Sequence, residues 1–189
     1  MHLVVGLGNP GARYARTRHN VGFLVVERLA SRAGSSVEKN LYGAHVGDGR
    51  VGDQKVMLAM PQQFMNVSGQ PVASLLGFYK IPKEELIVVH DDMDLPFGRL
   101  RVRVGGGHGG HNGIRDIQRA VGSEFVRVRV GVGRPPERMD PADYVLAPWS
   151  STESAQIDAV VDTAADAVES VVRVGVNQTM TSFNAAPAA

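Results

Sequence analysis

The sequence predicts a single globular α/β domain spanning residues 1–189, with a mixed, twisted sheet flanked by helices. Three observations predict it. Leu86–Val89 is a continuous apolar run, LIVV, of the kind buried on both faces of a sheet. RLRVRV (99–104) and VRVRVGV (126–132) alternate strictly, aliphatic one way and arginine the other, as half-buried strands do. Segments of helical period lie between the apolar runs, and strands interleaved with helices give an α/β sheet.

In chain order, strands are expected at 2–7, 43–48, 54–60, 86–90, 99–104 and 126–132, and helices at 21–33, 68–79, 113–121 and 152–174. The first helix follows from VGFLVVERLASRAG, where Phe23, Val26, Leu29 and Ala30 recur at i, i+3, i+4 spacing. The last, ESAQIDAVVDTAADAVESVV, has an apolar stripe and an acidic back, and should pack on the sheet as a surface helix. The tail SFNAAPAA (182–189) is expected to fray.

A chain of 189 residues with 43% apolar content suits one core without staples, and the absence of cysteine excludes disulfides and thiolate zinc sites. HLVVGL is too short for a signal peptide or a membrane span, so a soluble, cytoplasmic protein is expected. The net charge of +1 conceals an uneven distribution. Residues 99–138 hold nine arginines (99, 101, 103, 115, 119, 127, 129, 134 and 138) against three acids, whereas residues 139–189 hold one arginine against seven acids. Such arginines suit phosphate oxygens and can steer a polyanion. The other reading is a solvated strand face paired with the acidic C-terminal helix.

GLGNPG (6–11) matches G-x-G-x-x-G letter for letter, which raises a dinucleotide-binding turn. That fingerprint requires a helix at once and an acid at the end of the second strand. Here the basic stretch ARYARTRHN intervenes, and Glu27, near the expected distance, falls within a predicted helix. The nucleotide reading is not favoured.

Ligands in open α/β sheets bind beyond the carboxyl ends of the strands. That rule selects Asn9, Tyr14 and His19 after the first strand, Phe64 and Asn66 in QQFMNVSG, Asp91 after LIVVH, and Asn112 in GGGHGGHNGIRD at the mouth of a helix. Histidine with aspartate can activate water, and asparagine can donate to a developing oxyanion without adding charge. With no cysteine and no G-x-S-x-G elbow, water is the expected nucleophile. Plainer readings stand beside these. His19 could be a surface histidine, and Asn66 and Asn112 could be helix N-caps. Asp91, Asp92 and Asp94 could bond backbone amides. HDDMD and the H-x-x-H of His108 and His111 could suggest a metal, but the surrounding glycines argue against a rigid ligand pair, and no metal is expected.

Four blocks carry a resemblance: GLGNPGARYARTRHNVGF, PQQFMNVSG, VVHDDMDLPFG and GGGHGGHNGIRDI. In this order and at these separations they resemble the bacterial peptidyl-tRNA hydrolase family, over about residues 3–134 and more weakly beyond. The resemblance implies hydrolysis of the ester between a peptide and the 3′ ribose of tRNA, which recycles prematurely released peptidyl-tRNA. It implies His19 as general base, Asp91 as the group that holds it, and Asn9 as the discriminator of blocked from free α-amino groups. Tyr14, Phe64, Asn66 and Asn112 would contact the tRNA end or the adjoining peptide. It also implies a cytoplasmic monomer that needs no cofactor, metal, membrane or obligate protein partner. The arginines of 99–138 would hold acceptor-stem phosphates, and the loop of Gly105–Gly107, Gly109 and Gly110 would be mobile and close over the peptide. The alternative is a non-catalytic RNA-binding protein on the same scaffold.

Overall fold

The computed structural model describes residues 1–185. Its strands are β1 (His2–Gly6), β2 (Lys39–Leu41), β3 (Ala44–Val51), β4 (Gln54–Pro61), β5 (Leu86–Asp92), β6 (Leu100–Val104) and β7 (Val126–Gly131). They form one seven-stranded sheet in the order β2-β3-β4-β1-β5-β7-β6. The central strands β4, β1, β5 and β7 run parallel, while β2, β3 and β6 are antiparallel additions at the edges. The sheet is therefore mixed, as the sequence predicts, and the carboxyl ends of its parallel strands open on one side.

The helices are α1 (Val21–Arg32), α2 (Gly69–Tyr79), α3 (Asn112–Val121), α4 (Pro141–Val145), α5 (Ser151–Ser154), α6 (Ile157–Val174) and α7 (Val176–Phe183). Period-two alternation sends Val4, Ile87 and Val89 to a core shared with α1 and α6, and Leu3, Val5, Leu86 and Val88 to a core shared with α2 and α3. Both faces of β1 and of the first four residues of β5 are covered, which accounts for the apolar runs Leu3–Val5 and Leu86–Val89.

The opening glycines serve packing. A Cβ at Gly6 would collide with the Gly22 carbonyl, and one at Gly22 would collide with the Val89 carbonyl, so α1 can lie this close to β1 and β5 only without side chains there. Glu27 is exposed in the middle of α1, away from any strand end.

Three expectations need correction. First, β6 and β7 share a pattern but differ in burial. Arg101 and Arg103 of β6 are exposed, whereas Arg127 of β7 is only 2% exposed. The glycine segment 105–107 covers that end of β7, and Arg127 Nη1 donates to the carbonyls of Gly105 and Gly107 at 3.3 and 2.7 Å. Gln118 Nε2 takes the Gly106 carbonyl at 2.7 Å, so this half of the glycine loop is anchored at three successive carbonyls. Second, the acidic back of α6 pairs with a helix and not with the strand arginines: Arg28 meets Asp158 and Asp162, and Arg32 meets Asp162, Asp166 and Glu169. Third, Ser182 and Phe183 belong to α7. Beyond them the Asn184 carboxamide forms two 2.7 Å hydrogen bonds with the Val102 backbone, capping the free edge of β6. Residues 186–189 of the expected frayed tail lie outside the described residues.

Candidate active site

A cleft of about 570 Å³ opens beyond the carboxyl ends of the parallel strands. Asn9, Tyr14, His19, Phe64, Asn66, Asp91 and Asn112 all line it. The structure thus brings together all the residues selected from the sequence.

His19 sits in a 3₁₀ turn, Arg18–Asn20, that leads directly into α1. Asp91 is buried near the end of β5. Nδ1 of His19 lies 3.0 and 2.9 Å from the two carboxylate oxygens of Asp91. That contact fixes the tautomer: Nδ1–H donates to the carboxylate, and the lone pair of Nε2 is left free. Burial opposes charge on His19, but the neighbouring Asp91 charge and its hydrogen bond outweigh that, and the pKa is raised above the usual histidine value.

His111 supports the same carboxylate. Its Nδ1 accepts the Ile114 amide at 3.2 Å, so Nε2 carries the proton and donates to Asp91 Oδ1 at 2.9 Å. Burial alone would raise the Asp91 pKa, yet His19 and His111 together hold it well below the usual carboxylate range. His90 lies beneath. Its Nδ1–H donates to the Asp91 carbonyl at 2.9 Å and its Nε2 accepts Arg127 Nε–H at 3.2 Å. Burial, then His111 and Arg127, push the His90 pKa far down, so it stays neutral. Burial and the neighbours Arg129 and Arg103 bring Arg127 down to about 10.

Asn9 is held on every side but one. Its amide donates to Asn20 Oδ1 at 2.8 Å, and its carbonyl accepts Asn20 Nδ2 at 2.9 Å. Its own Oδ1 accepts the Met65 amide at 2.8 Å. A backbone N–H can only donate, so the carboxamide orientation is settled, and Nδ2 is the end presented to the cleft. Because Asn20 is spent on Asn9, α1 starts without a side-chain cap.

The plainer readings of the other asparagines fail. Ser68, not Asn66, stands at the start of α2, and the first amide of α2, Gly69 N–H, is taken by Asp116 Oδ2 at 2.8 Å. The cap of α3 is the His111 side chain, not Asn112. Asn66 and Asn112 are exposed residues of the cleft. Tyr14 and Phe64 meet edge to face at its rim, with ring centres 6.5 Å apart. Asp92 and Asp94 follow the bland reading in part: Asp92 accepts the Asp94 amide and pairs with Arg129, and Asp94 pairs with Arg134.

His111 is the partner that sequence reasoning missed. Its place beside Asn112 at the helix mouth was the available signal, but the glycines around it suggested mobility. His19, Asp91 and His111 offer three ligand atoms within 4.8 Å of one another, a spacing a cation could use. In the hydrogen-bonded arrangement these atoms satisfy one another, and a cation would have to displace both shared protons.

An open cleft at the strand ends, a histidine held by a carboxylate with one nitrogen free, and neutral carboxamide donors together define a hydrolytic α/β enzyme that works through water. Comparison with known proteins narrows the class. The sequence model of the peptidyl-tRNA hydrolase family matches residues 3–189, and the chain belongs to that family. A peptidyl-tRNA hydrolase of Nocardia farcinica is 52% identical over 176 residues, covering 92% of this chain and 91% of that protein. One from Anaeromyxobacter sp. strain K is 50% identical over 185 residues, covering 97% and 96%. The crystal structure of peptidyl-tRNA hydrolase from Acinetobacter baumannii superposes with a TM-score of 0.92 at 40% identity, covering 98% of this chain and 95% of that one.

Proposed function

We propose that the protein hydrolyses the ester joining a peptide, or an N-blocked aminoacyl group, to the 3′ ribose of tRNA, and so recycles prematurely released peptidyl-tRNA. Nε2 of His19 takes a proton from water as the water oxygen bonds to the ester carbonyl carbon. Asp91 holds Nδ1–H and offsets the charge of the imidazolium formed. Collapse of the tetrahedral intermediate breaks the bond to the ribose O3′, and the imidazolium returns its proton to that oxygen. An ester leaving group is good enough for one acid–base residue, and no metal or other cofactor is required.

Asn9 Nδ2 donates to a carbonyl of the blocked aminoacyl group. A free α-ammonium finds only another donor there, and this supports discrimination against unblocked aminoacyl-tRNA. Asn66 and Asn112 reach the peptide or the terminal ribose, and Tyr14 and Phe64 offer aromatic surface to the terminal bases. No described helix is long and apolar enough to cross a membrane. The proposal includes a monomer acting in the cytoplasm without an obligate protein partner, which size-exclusion chromatography with light scattering would check.

The observation that carries the reading is a histidine held through Nδ1 by a buried carboxylate, sharing one open cleft with the carboxamide of Asn9. Its test is release of the acyl group from N-acetyl-aminoacyl-tRNA beside unblocked aminoacyl-tRNA. Cleavage of the first alone, abolished in His19→Ala with tRNA affinity kept, supports the proposal. Binding without cleavage by the unaltered protein would favour the non-catalytic RNA-binding alternative.

A further inference from the structure

Arg18 immediately precedes the base, yet it points away from the cleft into a buried seam. Its side chain is only 9% exposed. Nη1 donates to the carbonyls of Tyr144 and Ala147 at 3.1 and 3.5 Å, and Nη2 donates to Glu153 Oε1 at 2.9 Å. The guanidinium also lies 4.0 Å above the Tyr144 ring centre. The backbone continues the seam: Arg18 N–H donates to the Ala147 carbonyl at 3.2 Å, and Trp149 N–H donates to the Arg16 carbonyl at 3.4 Å. Glu153 is fixed in turn by the Ser150 amide, in the capping box of α5.

Between the two carbonyls that Arg18 holds lie Val145 and Leu146, which form part of the apolar wall of the cleft. Three adjacent side chains of one turn thus reach three walls: Arg18 to segment 144–153, His19 to Asp91, and Asn20 to Asn9. The planar fork suits the first of these, because two nitrogens of one rigid plane divide the acceptors, Nη1 taking the two carbonyls and Nη2 the carboxylate, whereas lysine has a single nitrogen to place.

We infer that Arg18 is a positioning residue for hydrolysis, locking segment 144–149 to the turn that carries His19 and so fixing the distance between Nε2 and the wall that receives the acyl group. The inference rests on the proposed role of His19. Loosening the seam lets the turn shift, weakens the His19–Asp91 contact, and lowers the His19 pKa that this contact raises. A merely structural arginine would change thermal stability and leave the rate constants and the pH profile of the folded enzyme untouched.

The test compares Arg18→Lys, Glu153→Gln and the double variant Arg18→Met/Glu153→Gln, below their melting temperatures, on N-acetyl-aminoacyl-tRNA. Arg18→Lys should lower kcat by about tenfold or more with little change in KM, and should move the acid limb of the profile to lower pH. Glu153→Gln keeps the accepting oxygen and should stay within about threefold of the unaltered enzyme. The double variant, which leaves no unpaired buried charge, should match or exceed the loss in Arg18→Lys. Unaltered kcat and acid limb in a folded Arg18→Lys overturn the inference. Should that variant not fold, the double variant decides by the same two readouts, and should neither fold, unaltered kcat and acid limb in Glu153→Ala overturn it. Full activity of His19→Ala would instead overturn the underlying reading, whereas an inactive His19→Ala beside a normal Arg18→Lys defeats this inference alone.

Discussion

Nδ1 of His19 stands 2.9 Å from Oδ2 of Asp91, although 72 residues separate them in the chain. The contact works against burial: without the carboxylate, the buried imidazole would hold its proton less well than a free histidine, and with it, more tightly. A general base must be neutral, so kcat/KM should fall on the acid side with an apparent pKa above the ordinary 6.5. In Asp91→Asn the rate should drop by roughly two to three orders of magnitude, and the limb should move below that value. A full pH–rate profile of both proteins measures this.

The same pair makes stability depend on pH. His19 has a folded pKa above its unfolded value, so its contribution is complete below about 6.5 and is lost as pH rises through the folded pKa. Asp91 has a folded pKa far below its unfolded value of 3.8, so its contribution is complete above that and is lost as pH falls towards the folded pKa. The difference in unfolding free energy between the unaltered protein and Asp91→Asn should therefore peak between about pH 4 and 6.5. Urea titrations across pH would show it.

Asn9→Asp keeps an oxygen for the Met65 amide and replaces the Nδ2 donor with a second, anionic oxygen. Cleavage of the N-acetylated substrate should fall by about tenfold or more, and the preference over unblocked aminoacyl-tRNA should narrow, because the carboxylate attracts an ammonium. Paired release assays on the two substrates report the ratio.

The arginines should divide by burial. Arg101→Ala and Arg103→Ala, at exposed positions of the edge strand, should raise KM and each reduce the slope of log affinity against log salt by about one where a phosphate is contacted. Arg127→Met should leave that slope unchanged and lower the melting temperature, because it unpairs His90 and frees the carbonyls of Gly105 and Gly107. Filter binding across salt and thermal melts separate the two outcomes.

The sequence disclosed the sheet because alternation and continuous apolar runs are local, and it disclosed the members of the cleft because strand ends are where polar residues in an open sheet meet. It did not disclose what covers what. Arg101 and Arg127 sit in near-identical repeats, and only the folding of the glycine segment over one of them separates a solvated cation from a buried tie. His111 escaped for a similar reason: its contact with Asp91 spans elements that no local period connects. Short β2 and α4 fall below the length at which a period can be read, and α7 was not expected at all, with only its last two residues, Ser182 and Phe183, inside the segment expected to fray.

The 3₁₀ turn from Arg18 to Asn20 makes three unrelated attachments with three consecutive residues, and this restricts how the gene can drift. One residue gained or lost within it would swing every later side chain by about 120° about the turn axis. The imidazole would leave the acid, and the neighbouring attachments would part with it. Insertions and deletions are therefore expected to spare the codons of Arg18, His19 and Asn20, and to fall instead among the exposed residues Gly11–Arg13, ahead of the cleft residue Tyr14.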